Sequence, residues 1–162
     1  MGGCATPAAD PARMTIGTLQ ARTFPPALHR AMCVRNVTGA DETNPLFVSM
    51  LSNDRLRSAL DTSLNAAGLS SAPAACKYPV DANLLGLSQP SIAYDLEVTT
   101  HINYKVYDVA GKSILLETVS AAFTSKLNEA HAAIARNKLA TEGSIRASLG
   151  KFMDKLSAVS LP

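Results

Sequence analysis

The sequence predicts an α+β domain, a two-layer sandwich in which two helices cover one face of a mostly antiparallel sheet. Apolar and polar residues alternate from Ile92 to Val106, which is typical of a strand with one buried and one solvated face. Apolar residues recur every three or four positions from Leu56 to Ala67, which is typical of an amphipathic helix. The expected element order is strand, helix, three antiparallel strands, helix.

The composition fits one globular domain. The chain has 162 residues, of which 47% are hydrophobic and 17% are charged. It is too apolar for a disordered chain, and its apolar runs are too short for membrane spans. Its 15 basic and 13 acidic residues give a formal net charge of +2, so we do not expect nucleic acid as a partner.

The first residues are rich in Gly, Ala and Pro and show neither a helical nor a strand period. We therefore expect a flexible tether over residues 1–27 and a single domain over residues 28–162. Cys4 follows two glycines, as in a bacterial lipoprotein signal, where a small residue precedes the cysteine that receives lipid. This pattern predicts a lipid anchor at Cys4. The alternative is a surface cysteine that occurs there by chance.

The first strand is predicted over Leu28–Val37, where a β-branched and apolar run ends at a turn sequence. The helix Leu56–Ala67 follows a loop. Ser52 or Asn53 can cap its first turn, and Gly68 can end it in a left-handed conformation.

Three strands and a helix are predicted in the second half. The strands are Tyr78–Leu84, Ile92–Val106 and Ser113–Thr124, and the helix lies within 128–159. The residues spaced for one buried helix face are Ile145, Leu149, Phe152 and Leu156. The aromatic residues expected in the sheet core are Tyr94, Tyr104 and Phe123.

If Cys4 carries lipid, Cys33 and Cys76 remain as a pair, and an oxidising compartment allows them to form a disulfide. Two buried free thiols are the alternative. The cysteines and histidines do not have the spacing of a zinc site. We therefore expect neither a metal nor a cofactor.

We expect a protein that is not an enzyme. The segment Ala110–Ser113 ends like a phosphate-binding loop, but it lacks the first glycine and joins two predicted strands. Asp95 and Glu97 lie two positions apart on the long strand, so both carboxylates face the same way and can serve acid–base chemistry. A hydrolase that acts on envelope glycan or lipid is therefore the catalytic alternative. An ordinary solvated sheet face explains the same two residues.

Two surfaces are candidates for partner binding. The loop 41–51 holds apolar residues that form a binding patch if exposed, or ordinary core if they fold under the helix. The wet face of the long strand is the second candidate, because an open sheet can recruit a partner. The candidate residues are Leu46, Phe47 and Met50 in the loop, and Asp95, Glu97 and His101 on the strand. A small-ligand cavity between sheet and helices is a third alternative.

Several segments together carry a resemblance to a known class of protein. They are Gly3-Cys4, Cys33–Gly39, Thr43–Pro45, Leu56–Gly68, Tyr78–Ala82 and Thr141–Arg146. With them the chain resembles small proteobacterial envelope lipoproteins. Its element order is similar to that of the lipopolysaccharide-assembly lipoprotein that plugs the outer-membrane translocon. The resemblance implies a lipid-anchored, periplasm-facing protein that binds an envelope protein or lipid and supports assembly or transport. A role in lipopolysaccharide transport is the narrower alternative. Ala5 after the cysteine implies sorting to the outer membrane.

Overall fold

A four-stranded sheet with helices on one face forms the domain. The computed structural model describes residues 8–17, 22–40, 51–89 and 94–161. The strands are β1 (Met32–Thr38), β2 (Tyr78–Ser88), β3 (Leu96–Tyr107) and β4 (Ser113–Ser125), and the helices are α1 (Pro11–Met14), α2 (Asn53–Ala66) and α3 (Ala133–Ser157). The strands lie side by side in the order β1-β2-β3-β4. The predicted α+β class is confirmed, whereas α1 was not predicted.

The sheet is mixed. The two pairings between β2, β3 and β4 are antiparallel, as predicted, but β1 runs parallel to β2. This follows from the order of the elements. Helix α2 carries the chain back to the end of the sheet at which β1 began, so β2 starts there and runs in the same direction as β1.

The first strand begins later than predicted. Residues Pro26–Leu28 form a single 3-10 turn, and Arg30 has a positive φ of 49°, which is incompatible with extended backbone. Leu28 is fully buried, so its apolar character reflects core packing rather than membership of β1.

The ends of α2 are those that the sequence predicts. The Ser52 hydroxyl accepts a hydrogen bond from the Arg55 amide at 3.3 Å, so Ser52 is the N-cap. Gly68 adopts a φ of +72° and lets the chain leave the helix. Leu69 then folds back: its amide donates to the Leu64 carbonyl at 2.9 Å, and its side chain is buried.

The long strand is shorter than the alternating pattern suggests. The ladder starts where Leu96 pairs with Ser125. Tyr94 lies beyond this pair and is 84% exposed, so its predicted place in the core is wrong. Among the described residues, no paired strand extends far enough to cover it. Tyr104 is fully buried, as predicted, and Phe123 is half-buried; Ile92 lies outside the described residues.

One hydrophobic core joins both long helices to the same face of the sheet. It contains Leu56 and Leu60 of α2, Leu149 and Phe152 of α3, and Tyr104 of β3. The rings of Tyr104 and Phe152 stack with centroids 4.3 Å apart. The four α3 residues predicted to be buried are all fully buried. This packing leaves the opposite sheet face without a helical layer in the described structure.

The described residues 8–17 and 22–27 pack against the domain, which corrects that part of the predicted tether over residues 1–27, while residues 1–7 and 18–21 lie outside the described residues. Ala9, Met14 and Phe24 are buried in the core. The Asp10 amide donates to the Glu142 carboxylate at 2.7 Å, and Arg22 forms an ion pair with Asp154 at 2.6 Å. These contacts come from isolated residues rather than from a periodic face, which is why hydrophobic periodicity gives no sign of them.

A disulfide joins Cys33 of β1 to Cys76, which lies directly after the 3-10 turn Pro73–Ala75. The two cysteines that the sequence left as either a bond or two thiols are therefore bonded in the structure. The bond connects the two ends of the β1–α2–β2 crossover, whose strands are adjacent and parallel.

Candidate functional site

One face of the sheet has no helix over it in the part of the chain that the structure describes, and we call it the open face. Strand β3 contributes every second residue from Glu97 to Tyr107, because side chains alternate along a strand. Asp81 of β2 and Leu116 of β4 both pair with Lys105 and therefore lie on the same face. This surface is the candidate functional site.

A charged and aromatic cluster occupies one end of the open face. The Arg35 guanidinium donates two hydrogen bonds to the Asp81 carboxylate, from Nε at 2.9 Å and from Nη2 at 2.5 Å. The same guanidinium lies over the Tyr107 ring at 4.2 Å from its centroid, and Lys105 Nζ lies 4.9 Å from that centroid. The hydrogen bond to Asp81 raises the pKa of Arg35, whose guanidinium is a cation at physiological pH in any case. The cluster thus fixes two cations around one aromatic ring.

A bulge in the edge strand places Arg35 in this cluster. The β1–β2 register shifts between Val34 and Asn36: Asn36 pairs with Asp81, and Arg35 is the extra residue of the bulge. Arg57 of α2 supports the bulge: its Nη1 donates to the Val34 carbonyl at 3.0 Å and its Nη2 to the Arg35 carbonyl at 3.1 Å. These bonds occupy backbone acceptors of an edge strand that would otherwise be open to another chain.

Amide and hydroxyl pairs continue the surface between the strands. Asn103 donates to Thr118 at 3.0 Å, and Thr38 donates to Asn83 at 3.1 Å. Two large apolar side chains are exposed next to these pairs: Leu85, at a bulge in β2, is 57% exposed and Leu116 is 61% exposed. Because the polar side chains already hold one another in place, a partner would meet a surface that loses little conformational entropy on binding.

Two of the predicted binding residues lie on the open face and one lies beside it. His101 stands between Gly86 and Ser120 in the ladder, and Glu97 accepts a hydrogen bond from Thr124 at 3.3 Å. Asp95 precedes β3, and its carboxylate accepts from the Leu127 amide at 3.1 Å. The remaining site predictions, Cys4, Leu46, Phe47 and Met50, lie outside the described residues.

Two surface depressions are lined by acidic residues, one by the predicted site residue Asp95 and one by the buried Glu142. Asp95 lines a shallow, open depression of about 470 Å³ together with Lys126, Leu127, Asn128 and His131. Glu142 lines a smaller one of about 220 Å³ between α1, β4 and α3. The Glu142 side chain is 2% exposed and lies 3.8 Å from Lys138. It also accepts a hydrogen bond from the Asp10 amide. Glu142 therefore holds the N-terminal segment against α3.

Among the described residues, no group of His, Cys, Asp and Glu side chains is arranged to hold a metal ion. No helix within the same ranges combines the length and the apolar character needed to cross a bilayer.

The sequence analysis does not identify Arg35, Asp81 or Tyr107 as site residues. The alternation in β2 and β3 was sufficient to place Asp81 and Lys105 on one face. Arg35 could not be placed in the same way, because its position depends on the bulge and on the parallel pairing of β1 with β2.

No protein-family model matches the chain, and no curated protein matches it. Solved structures share its fold. A hypothetical protein from Chlamydia trachomatis is similar with a TM-score of 0.59 at 8% identity, over 80% of this chain and 95% of that one. A Xanthomonas campestris protein of family DUF330 has a TM-score of 0.55 at 13% identity, over 83% and 90% of the two chains. A minor lipoprotein from Acinetobacter baumannii has a TM-score of 0.52 at 13% identity, over 85% and 100%. At these identities the likeness shows a common fold.

Proposed function

We propose that this chain is a lipid-anchored binding protein of the bacterial cell envelope, facing the periplasm and not catalytic. The observation that carries the proposal is the open face. Within the described residues no helix covers this side of the sheet, and it carries fixed cations, amides and two exposed leucines. Such a mixture of an aromatic residue, arginine and apolar side chains is typical of surfaces that bind other proteins.

The settings of the two candidate acid–base residues support binding rather than hydrolysis. The carboxylates of Asp95 and Glu97 each accept a hydrogen bond from the protein itself. Neither carboxylate is buried, whereas carboxylates that act as catalytic acids or bases generally owe their reactivity to burial or to a neighbouring charge. Glu97 stands on the open face and does not line the depression that Asp95 lines. A hydrolase would need a concave site that brings both groups to one substrate.

The compartment is inferred from the cysteines. The Cys33–Cys76 disulfide is of the kind that persists in an oxidising compartment such as the periplasm. It leaves Cys4 as the single cysteine outside the bond, in the position of a lipoprotein cysteine. The shared fold with a minor lipoprotein agrees with this inference, and Ala5 favours the outer membrane. The narrower role in lipopolysaccharide transport rests on the sequence resemblance and is not included in the proposal.

Site-specific photocrosslinking in the host tests the binding surface. A photoreactive amino acid replaces Leu116 or Leu85 on the open face, and Val109, which is 79% exposed in the β3–β4 turn, serves as the matched control. We expect the two open-face positions to form adducts with the same envelope component and the Val109 position to form none.

A charge reversal separates specific docking from chance encounter. Lys105→Glu places a carboxylate beside Asp81. The yield of the adduct formed from position 116 should therefore fall several-fold, while the fold is kept. Adducts of equal yield from all three positions, or none from the open face, would rule out this face as the binding surface.

A further inference from the structure

We propose that the end of the domain carrying Tyr94, Leu127 and Ile134 rests on the lipid bilayer, with these three side chains in the membrane interface. The proposal rests on the proposed anchoring and adds the orientation of the domain to it. The occupant of this surface is the bilayer itself.

The three side chains lie at one end of the strands. Tyr94 comes just before β3 and Leu127 just after β4, and the pairing of Leu96 with Ser125 brings these two strand ends together. The Leu127 amide also donates to Asp95. Ile134 lies in the first turn of α3, and Asn137 one turn later bonds to Gln89 beyond the end of β2 at 3.1 Å. The start of α3 therefore belongs to the same end.

These residues are unusually exposed for their size. Tyr94 is 84%, Ile134 55% and Leu127 41% exposed. They make up three of the six large apolar side chains that are exposed among the described residues, and the other three are spread over the open face and the opposite turn. An amphipathic ring beside aliphatic side chains is the combination that favours the interface between water and lipid.

The N-terminal segment runs toward this end. The Arg13 carbonyl accepts from Arg146, whereas the Asp10 amide bonds to Glu142, so the chain followed backwards moves along α3 toward its first turn. From Glu142 to Ile134 the helix covers about 12 Å, and from Glu142 to its last residue, Ser157, about 22 Å.

The anchor is close to the domain. Asp10 lies six positions after Cys4, and an extended chain of six residues spans at most about 20 Å. A lipid on Cys4 therefore keeps the domain near the bilayer, and the end that carries Ile134 is the nearer of the two.

A fluorescence experiment tests the orientation. The sequence has no tryptophan, so Tyr94→Trp introduces a single reporter at the proposed contact, and Val109→Trp introduces one at the opposite end of β3. The full chain is coupled through Cys4, the cysteine outside the disulfide, to a maleimide lipid in vesicles of phosphatidylethanolamine and phosphatidylglycerol. The vesicles contain lipids with or without brominated acyl chains, which quench tryptophan on contact.

We expect the emission of the Tyr94→Trp protein to shift to the blue on coupling and to lose most of its intensity in brominated vesicles. The Val109→Trp protein should show neither change. Adding Leu127→Ser and Ile134→Ser to Tyr94→Trp should reduce the quenching, and these exposed positions can be changed without loss of the fold.

Equal quenching of the two reporters, or no quenching of the Tyr94→Trp protein, would overturn the proposed orientation. Because chemical coupling supplies the anchor, such a result is independent of whether the cell attaches lipid to Cys4. The modification of Cys4 in the host is a separate measurement that tests the proposed function.

Discussion

Gly143 lies where α3 closely approaches Phe123 of β4. A Cβ atom at this position would stand 2.3 Å from Cγ and Cδ1 of Phe123, well inside van der Waals contact. The structure therefore shows a close approach of α3 to β4 at this position. Gly150 lies further along the same helix, and a Cβ atom added there would meet its nearest neighbours at 3.8 Å, an ordinary van der Waals distance.

The two glycines should respond with opposite signs to the same substitution. Gly143→Ala should destabilise the domain by about 1–3 kcal/mol, because the Phe123 ring must move from a packed position. Gly150→Ala should stabilise it by up to about 1 kcal/mol, the gain in helix propensity. Urea denaturation of both variants measures the difference. Stabilisation by Gly143→Ala would show that α3 does not lie this close to β4.

Tyr104 couples the stability of the core to alkaline pH. Its hydroxyl lies 3.0 Å from that of Ser148 in a fully buried position, and desolvation raises its pKa well above the ordinary value. In the unfolded chain it ionises near pH 10. Above that pH the unfolded state binds fewer protons than the folded state, so the free energy of unfolding falls as the pH rises.

Tyr104→Phe isolates this contribution. At neutral pH the variant should be less stable by about 1 kcal/mol, because it loses the hydrogen bond to Ser148. Above about pH 10 the wild-type protein should lose stability more steeply than the variant, by up to about 1.4 kcal/mol per pH unit. The difference in unfolding free energy between the two proteins should therefore narrow. Unfolding free energies at a series of pH values measure both slopes. Parallel profiles would contradict a buried, protonated Tyr104.

At the scale of elements, the disulfide holds the crossover together. It closes a loop of 43 residues between β1 and the start of β2, and the chain-entropy relation gives about 4 kcal/mol for a loop of that size. The double variant Cys33→Ser, Cys76→Ser should lose stability of that order in urea denaturation. Cys4→Ser is the control and should leave the midpoint unchanged. A double variant as stable as the wild-type protein would show that the crossover is held by packing alone.

The elements that the sequence predicts well are those with a sustained period. The face of α2 and its cap at Ser52, and the alternation of β3, follow from local pattern, and their burial agrees with it. Tyr94 continues the alternation, but the paired part of β3 begins only at Leu96, so pattern alone misplaces Tyr94. The prediction for the N-terminal residues is wrong for the opposite reason. Met14 and Phe24 are buried in the core although the sequence around them has no hydrophobic period.

The candidate site depends on long-range pairing, which limits how much of it sequence can predict. The alternation of β3 predicts that Glu97 and His101 lie on the solvated face. The Arg35 contact with Tyr107 spans from an edge strand across β2 to β3, and it exists only because β1 is parallel and bulged. A single sequence carries no local signal for either property.

At the scale of the whole molecule, the proposed membrane contact and the proposed partner surface do not compete. The strands run from the end with Tyr94 and Leu127 to the turn with Val109, and the open face lies along their length. A domain that rests on the bilayer by the first end therefore presents this face sideways, accessible to an envelope partner. Anchoring at Cys4 would raise the local concentration of the face at the membrane.

The mass of the peptide that contains Cys4, from protein made in its bacterial host, tests this account most directly. We predict that membrane-associated protein carries acyl groups on Cys4, and that Cys4→Ser releases the domain from the membrane fraction without changing its fold. An unmodified Cys4 in protein recovered from the soluble fraction would contradict the account.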